Sequence, residues 1–585
     1  MANLPVIQLD HRHFLQLEDI RRVARGEATL ELNVETADLL DLRRNEIIDH
    51  IHRLKEPAYG FNRGFGHNVD LKVDDDDTLL GKLQLNLIRS HSAAIGDPAP
   101  TEVVRTAMVL RANSLARGYS GIRSVVVKTM LQLLNAGIVP VVPRHGSVSA
   151  SGDLAPLSHM ALALIGEGQV EYKGEYQPAA AALKAEAISP LVLEMKEGLA
   201  LNNGVQYLTA LGIYSAEKMT DMLRTAVIAT TLSTQVMLGS STPFRKDLHQ
   251  LRPHRGSRAV ANWLWKLLQD APIQKVHQDK SLDGEVQDPY NIRCAAQILG
   301  SCFDLILEAE ECFTIEANSV TDNPLILPDE DGKFTDVVSG GHFHGMPVAI
   351  KVYGLIQAAA IIARLSNTRC ARYVDEKRNK GLGSDLIWPD LSPQERSTSS
   401  GMMAAEYTSA SLTNWLWGQT MPSHLFSLST DAGQEDHVSM GAPLALRLLD
   451  SIPRLAEVLA VELAFASQAA AIRKAQPHFP SKSEIPEEAL HLRDKFVEGL
   501  RKTIGSEGGR NVDLDVHIHK LYAWKPEERL LSPASERVLE RIQSVFPAVK
   551  ADRILSDDIS KIASLVLSGQ IVRETEKEDS IEWSY

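Results

Sequence analysis

A loop of small residues carries the most reactive backbone arrangement in the sequence. The run PRHGSVSASGDLAPLSH contains the tripeptide Ala150-Ser151-Gly152 directly before an apolar stretch. With a small residue before Ser151 and glycine after it, the Gly152 nitrogen can approach the Ala150 carbonyl with little obstruction. Ring closure and loss of water from Ser151 would leave an exocyclic methylidene, an electrophile that no standard side chain supplies. The alternative is an ordinary turn in which Asp153 caps the following helix.

The elements around this loop are predicted to be mainly helical. Strand-like segments such as IVPVVP, SPLVLEM and NPLILP are short and bounded by proline or glycine. Long Ala- and Leu-rich stretches, almost free of glycine, favour long helices and cover about 204–240, 294–317, 345–377 and 442–475. We therefore predict a mainly α fold, a bundle of long helices with a smaller N-terminal helical region that carries the tripeptide.

Composition along the chain predicts three parts. Residues 1–204 form the N-terminal region with the tripeptide, 205–476 the central helical bundle, and 477–585 an appended or inserted region with closing helices. Within the last part, residues 477–545 contain more charge, proline and glycine than the bundle. This segment could shield an active site or build an assembly contact.

Charge and cysteine content exclude several classes of function. The net charge of -14, from 61 Lys+Arg against 75 Asp+Glu, gives no general attraction to nucleic acid or acidic membranes. The four cysteines form no CxxC pair, which predicts reduced core thiols and no metal site; they are Cys294, Cys302, Cys312 and Cys370. The N-terminus does not have a basic start followed by an apolar run, and no segment reaches the roughly 20 apolar residues of a membrane span. We therefore predict a cytoplasmic protein.

The core GSVSASGDLAPLSH resembles the signature of the aromatic amino acid lyases, a family of histidine, phenylalanine and tyrosine ammonia-lyases and related aminomutases. Further segments match in the same order over roughly residues 1–475 and, more weakly, the last thirty. The resemblance implies that Ala150, Ser151 and Gly152 become 4-methylidene-imidazol-5-one (MIO), with no external cofactor. It also implies a homotetramer whose active sites are shared between subunits.

The matching segments supply the site residues that the resemblance implies. Beside the tripeptide, the catalytic set is Tyr59 in YGFNRGFG, Tyr290 in VQDPYNIRCAAQ and Glu435 in TDAGQEDHVSM. The implied substrate-binding set is His91, Asn203, Gln287, Arg293, Asn323, Phe343 and Met403. Taken singly, several of these residues have a structural alternative: a tyrosine or histidine can simply pack, and Arg293 can form a salt bridge.

The implied chemistry sets a requirement for each group. A tyrosine that removes the weakly acidic β proton of an amino acid needs a pKa well below the usual value of about 10, so we expect the pKa of Tyr59 to be depressed. The guanidinium of Arg293 suits a bidentate grip on the substrate carboxylate. Asn203 and Asn323 can orient the amine or the carboxylate, and Tyr290 can assist proton transfer or hold a water.

The pair His91 and Glu435 favours histidine as the substrate, with urocanate as the product. An imidazole ring has two polar ends that a histidine and a carboxylate can satisfy. A benzene ring would leave both partners unpaired, and burying each unpaired group would cost roughly 1–3 kcal/mol. Phenylalanine and tyrosine lyases typically carry glutamine at the position of Glu435. The alternatives are a phenylalanine or tyrosine lyase, an aminomutase, a lyase of a modified histidine, or an inactive helical scaffold or binding protein.

A few residues depart from the family pattern. Arg63 replaces a small residue such as threonine; it could face solvent, contact a carboxylate or alter the ionisation of Tyr59. Asn202 replaces an aliphatic residue. Trp415 and Trp417, in NWLWGQ, are expected to pack in the core or, alternatively, to line a larger pocket. These departures affect the choice of substrate more than the class of reaction.

Overall fold

The computed structural model describes residues 4–54, 58–64, 66, 70, 73, 76–274, 286–475, 529–577 and 581–583. The predicted segment 477–545 lies outside the described residues up to position 528. The helices are α1 Leu17–Ala24, α2 Val34–Leu54, α3 Asp77–His91, α4 Thr101–Ala116, α5 Ser124–Asn135, α6 Leu154–Leu164, α7 Ala179–Ala185, α8 Glu197–Asn202, α9 Gln206–Val236, α10 Lys246–Gln250, α11 Arg255–Leu267, α12 Tyr290–Arg293, α13 Ala295–Ala317, α14 Met346–Val374, α15 Pro393–Arg396, α16 Met403–Gly418, α17 Gly441–Ala475, α18 Pro533–Gln543, α19 Ser556–Leu567 and α20 Gln570–Glu576.

Short strands accompany the helices. They are β1 Val6–Leu9, β2 Thr29–Leu32, β3 Ile95–Pro98, β4 Val139–Pro140, β5 Pro143–His145, β6 Gln169–Tyr172, β7 Glu175–Pro178, β8 Leu325–Pro328 and β9 Phe334–Val338. β1 and β2 pair in parallel, whereas β3–β5, β4–β6–β7 and β8–β9 pair antiparallel. The predicted mainly α fold is confirmed.

The four predicted long helices are present as α9, α13, α14 and α17. Their Ala- and Leu-rich sequences favour helix at almost every position. Pro347 is the second residue of α14, where its missing N–H is harmless, and α17 continues through Pro453. Both α14 and α17 are long and apolar enough to cross a membrane, but 56% and 89% of their most apolar stretches are buried within the protein, as expected for core helices.

The chain divides into two compact units. Unit 1 contains residues 1–216, 307–354 and 421–449, and unit 2 contains residues 217–306, 355–420 and 450–585. Four of the five boundaries fall within α9, α13, α14 and α17, and the fifth, between residues 420 and 421, lies just after α16. The compositional division into 1–204, 205–476 and 477–585 stays a prediction.

In unit 1, three helices position the predicted tripeptide loop. α3, α6 and α8 pack against one another. α3 ends at His91, α6 begins directly after Asp153, and α8 ends next to Asn203. Residues far apart in sequence are therefore brought to one end of this three-helix cluster.

A second cluster in unit 1 fixes the backbone around Tyr59. The neighbouring side chains Ala58 and Phe61 are buried with Ile47, Ile326 and others. The side chain of Asn62 also accepts a hydrogen bond from the Ala58 nitrogen at 2.8 Å. Tyr59 is thus held from both sides.

Unit 2 has a core of long helices with a buried polar network. Arg369 and Glu462 form an ion pair at 2.5 Å with both side chains fully buried. Ser233 donates to Glu462 at 2.8 Å, and the Tyr373 hydroxyl donates to Ser233 at 2.9 Å. This network joins α9, α14 and α17 within the unit.

The cysteines are free, as predicted. Cys302 and Cys370 are buried, whereas Cys294 and Cys312 are only partly buried. Burial raises the pKa of the Cys302 thiol to about 12, so it remains protonated at neutral pH. The expectation of a wholly buried set is correct for two of the four.

The expectation that Trp415 and Trp417 pack in the core is wrong for the described chain. Their exposed fractions are 41% and 44%. The buried residues of α16 are Ala405, Ser409, Thr413 and Leu416, which recur at helical spacing along one face. The two tryptophans fall beside that stripe rather than on it.

Candidate active site

A cavity of about 680 Å³ in unit 1 contains most of the predicted site residues. Those that line it are Tyr59, His91, Ala150, Ser151, Asn203, Asn323, Phe343 and Glu435. Leu87, Leu154 and Leu199 add apolar surface. The cavity therefore combines an apolar wall with several convergent polar groups, as ligand sites do.

The backbone at Gly152 tolerates only glycine. Its φ is +79°, and a Cβ there would lie 2.3 Å from the Gly204 nitrogen. Gly152 forms an isolated bridge with Gly204, and the Asp153 nitrogen donates to the Gly204 carbonyl at 2.7 Å. The end of the tripeptide is thus pinned to the residue after Asn203.

Asp153 anchors the loop through hydrogen bonds. Its fully buried carboxylate accepts hydrogen bonds from the hydroxyls of Ser147 and Ser149, at 2.6 and 2.9 Å, and from the Leu208 nitrogen at 2.8 Å. Burial raises the pKa of Asp153, and these bonds oppose that rise. Asp153 occupies the N-cap position of α6, as the alternative interpretation predicts, but its side chain makes no capping bond.

Ring closure would join the Gly152 nitrogen to the carbonyl carbon of Ala150, with loss of the carbonyl oxygen as water. Among the described residues, neither the Gly152 nitrogen nor the Ala150 oxygen takes part in a backbone bond. The adjoining carbonyl of Ser149, in contrast, accepts from the Gly345 nitrogen at 3.3 Å and from the Ser439 hydroxyl at 2.9 Å. The loop is fixed around a reactive pair of atoms, which fits the cyclisation that the sequence predicts.

The pKa of Tyr59 moves in the opposite direction from the prediction. Burial raises it, and the carboxylates of Asp431, Asp322 and Glu435 raise it further, while a hydrogen bond from the Gly66 backbone lowers it. Expectation and structure differ mainly because burial of the Tyr59 hydroxyl disfavours its charged form, and the nearby carboxylates add to this effect.

The ring of His91, which lines the cavity, is held by a contact with the backbone. Its Nδ1 lies 3.0 Å from the Leu87 carbonyl oxygen, which can only accept, so Nδ1 carries the proton. Burial lowers the pKa of His91, whereas Leu87, Asp431 and Glu435 raise it. In the neutral ring, Nε2 therefore keeps its lone pair.

Glu435 is aimed at Ser151 by a tight turn. Thr430 and Glu435 pair as a two-residue bridge, and the Thr430 hydroxyl donates to Glu435 Oε2 at 2.5 Å. The other carboxylate oxygen, Oε1, accepts the hydroxyl of Ser151. Within the turn, Asp431 and Ala432 have φ of +46° and +55°, a left-handed conformation that non-glycine residues adopt at a cost of about 1–3 kcal/mol.

The two asparagines differ in what they offer a ligand. Asn203 is 3% exposed, and its Oδ1 has no hydrogen-bond partner among the described residues. Asn323 Oδ1 already accepts from the Gly340 nitrogen at 2.8 Å. An unpaired buried carbonyl oxygen is costly, so Asn203 keeps an unused acceptor, whereas the acceptor of Asn323 is engaged.

A buried ion pair supports Asn323. Lys196 donates to Asp322 at 2.7 Å, with both side chains fully buried. The other Asp322 oxygen accepts from the Asn323 nitrogen at 2.7 Å. Lys196 itself has a left-handed φ of +73°, so the pair fixes a strained backbone beside the cavity.

Four predicted residues lie elsewhere in the chain. Gln287, Tyr290, Arg293 and Met403 belong to unit 2 and do not line the cavity. Tyr290 is 68% exposed, and the guanidinium of Arg293 lies 4.9 Å from its ring. Arg293 donates to the Asp288 carbonyl at 3.1 Å and pairs with no carboxylate in the described part of the chain, so the salt-bridge alternative is not supported.

Several cavity residues were missed by sequence reasoning. They are Gly66, Ser339, Gly340, His344, Asp431, Gln434, Asp436 and His437. Most lie within or beside the flagged segments GGHFHGMP and TDAGQEDHVSM, so proximity to the flagged residues was the available signal. Asp431 and Asp436 matter most, since they add two carboxylates to that of Glu435.

Two of the residues that depart from the family pattern, Arg63 and Asn202, lie outside the cavity lining. Arg63 is partly buried, donates to the Asp70 carbonyl at 3.0 Å and does not line the cavity. Asn202 is fully buried and donates to the Ser158 hydroxyl at 3.1 Å. Neither side chain contributes a wall to the cavity.

Comparisons with known proteins agree with the fold. A profile of the aromatic amino acid lyases matches residues 15–494. A histidine ammonia-lyase of Burkholderia vietnamiensis is 39% identical over 472 residues, covering 81% of this chain and 89% of that protein. The tyrosine aminomutase of Streptomyces globisporus superposes with a TM-score of 0.81 at 28% identity, over 99% of this chain and 100% of that one. Histidine ammonia-lyase from Trypanosoma cruzi gives 0.77 at 29% identity, over 98% and 96%.

The helical fold and the loop-bearing cavity, with these matches, define the protein as a lyase. The profile match extends over most of the chain, including every predicted site residue. The chain belongs to the aromatic amino acid lyase family.

Proposed function

We propose that this protein eliminates ammonia from L-histidine to form urocanate, using MIO made from Ala150, Ser151 and Gly152. The observation that carries the proposal is the convergence, in one cavity, of Ser151 with Tyr59, His91 and Glu435. The likeness to proteins named histidine ammonia-lyase supports the choice of substrate.

The polar lining selects an imidazole ring. His91 Nε2 and the Glu435 carboxylate are both acceptors, so a ring with two N–H donors satisfies both. Asp431 and Asp436 add negative charge, and no lysine or arginine lines the cavity among the described residues. The site therefore favours an imidazole ring, which can donate hydrogen bonds, over a benzene or phenol ring.

The remaining residues divide the chemistry between them. MIO would supply an electrophilic carbon that converts the substrate amine into a leaving group. Tyr59 takes the β proton, with the Gly66 backbone N–H stabilising its phenolate. Asn203, which lines the cavity beside Ser151, orients the amine. Leu87, Leu154 and Leu199 exclude water from the ring face.

The carboxylate of the substrate requires a cation from outside this cavity. We propose that Arg293, with Gln287, Tyr290 and Met403, comes from a neighbouring subunit of a homotetramer. The exposure of Tyr290, at 68%, and of Met403, at 38%, supports an interface role. We also propose that the protein is cytoplasmic, because the proposed reaction belongs to amino acid metabolism.

A substrate panel tests the proposal. The purified protein is incubated with histidine, phenylalanine and tyrosine, and near-ultraviolet absorbance and released ammonia are followed. We expect urocanate and ammonia from histidine, with the highest kcat/KM of the three. A preference for tyrosine or phenylalanine would contradict the substrate assignment, and a β-amino acid product would identify an aminomutase. An intact mass equal to that of the unmodified chain would indicate an inactive scaffold.

A further inference from the structure

We propose that Glu435 has a second role, as the acid that protonates the departing hydroxyl of Ser151 when the tripeptide matures. This inference rests on the proposed formation of MIO. It concerns the unmodified chain, in which Ser151 still has its hydroxyl, rather than the turnover of substrate.

The contact between the two side chains is specific. In the described structure, Glu435 Oε1 is the hydrogen-bond partner of the Ser151 hydroxyl. Thr430 holds the other oxygen, Oε2, at 2.5 Å, and the backbone bridge between Thr430 and Glu435 fixes the carboxyl group. The group is therefore oriented on an oxygen that has to leave.

Other carboxylates near the loop are engaged elsewhere. Asp153 already accepts from Ser147, Ser149 and the Leu208 nitrogen. Asp322 is paired with the buried Lys196. Asp431 and Asp436 line the cavity, but among the described residues neither forms a hydrogen bond with Ser151.

The elimination needs an acid because hydroxide is a poor leaving group. After the Gly152 nitrogen has closed the ring on the Ala150 carbonyl carbon and one water has left, Cα of Ser151 loses its proton to solvent. The electron pair of that C–H bond forms the Cα=Cβ double bond, and the Cβ–Oγ bond breaks. The protonated carboxyl of Glu435 donates to Oγ, a second water departs, and the carboxylate regains a proton from solvent.

In the structure, the Ser151 hydroxyl donates to the carboxylate of Glu435. Because the same two oxygens share one proton position, protonation of Glu435 reverses the donor without moving either side chain. A positioned general acid accelerates a step by about 10²–10⁴-fold. Loss of this acid should therefore slow the second dehydration and leave ring closure unaffected.

Intact-mass spectrometry of freshly synthesised full-length protein tests the inference. The wild type should lose two waters, whereas Glu435→Gln should accumulate a species lacking one water, with the second loss slowed by about 10²–10⁴-fold. Asp436→Asn is the matched control: it removes a neighbouring cavity carboxylate and should lose both waters at the wild-type rate. Circular dichroism and thermal unfolding establish that each variant is folded.

A chemical rescue separates the acid from a structural role. Glu435→Ala leaves space beside Ser151, so added formate should accelerate the second dehydration in this variant and leave Asp436→Asn unchanged. Loss of both waters at the wild-type rate in Glu435→Gln, or a folded Glu435→Ala that formate does not accelerate, would overturn the inference. A wild-type protein that loses no water would instead refute the proposed function.

Discussion

The side chains around Ser151 differ in how firmly the fold holds them. Gly152 is confined by the Gly204 backbone, and the Asp153 carboxylate accepts hydrogen bonds from Ser147, Ser149 and Leu208. Asn203 Oδ1, in contrast, is buried without a partner in the described chain. Rigid groups thus flank the tripeptide, and one buried acceptor beside them has no hydrogen-bond partner among the described residues.

The glycine at position 152 can be tested against a glycine with similar backbone angles. Gly152→Ala should prevent the loss of two waters and destabilise the protein by more than the strain of a left-handed alanine, about 1–3 kcal/mol, because its Cβ would lie 2.3 Å from the Gly204 nitrogen. Gly174→Ala is the control, with φ of +82° and nothing within 4 Å of the added carbon. Intact mass and urea unfolding are the measurements; normal maturation of Gly152→Ala would contradict the assignment.

The raised pKa of Tyr59 predicts an alkaline pH profile. Only the phenolate accepts a proton, and burial, Asp431, Asp322 and Glu435 all raise the pKa, so kcat/KM should still be rising with pH above neutrality. Asp431→Asn removes one of these charges and should shift the ascending limb to lower pH. A pH–rate profile of both enzymes checks this, with Asp436→Asn as the control. A shift to higher pH, or no shift, would show that Asp431 does not tune Tyr59.

At the scale of elements, helices were easier to predict than the turns between them. The long helices follow from uninterrupted Ala and Leu, which favour helix whatever surrounds them. The strand-like SPLVLEM forms no strand, since a strand requires a pairing partner that local sequence does not specify. Trp415 and Trp417 were misplaced because their burial depends on the phase of α16.

Within the site, the tripeptide, Tyr59, His91 and Glu435 were predictable from motifs. Asp431 was not, because its position in the cavity depends on left-handed backbone angles in the turn before Glu435. The direction of the Tyr59 pKa was also beyond the sequence, as it reflects burial and three carboxylates brought from distant segments.

Removing one partner from the buried network of unit 2 should destabilise the protein strongly. Glu462→Gln leaves the fully buried Arg369 without its counter-charge. The free energy of unfolding should fall by about 3–5 kcal/mol. On the same helix, Glu457→Gln breaks a more exposed pair with Arg454 and should cost about 0.3–0.5 kcal/mol. Urea unfolding of both variants provides the comparison, and equal losses would show that the buried pair has no special weight.

At the scale of the whole molecule, the predicted site residues are divided between the two units. Tyr59, Ser151 and Glu435 belong to unit 1, and Tyr290 and Arg293 to unit 2. A homotetramer with shared sites would bring the two groups together from different copies of the chain. Two inactive variants that each lack one of these groups should therefore regain activity when they assemble into mixed oligomers.

Complementation tests this sharing. Tyr59→Phe and Arg293→Ala should each be nearly inactive alone, because one lacks the base and the other the carboxylate grip. Co-expressed in equal amounts, they should regain about a quarter of wild-type activity, the fraction of sites that receive both native residues when these come from different subunits. Separately expressed proteins mixed without subunit exchange serve as the control. No recovery in a mixed oligomer would place both residues on one chain.

The most direct measurement of the central claim compares the wild type with Ser151→Ala. The variant keeps the loop and the cavity but cannot form the methylidene carbon, so its intact mass should not show the loss of two waters. Its rate of urocanate formation from histidine should fall to the background rate, while the wild type lacks two waters and is active. Undiminished deamination by Ser151→Ala would contradict the account.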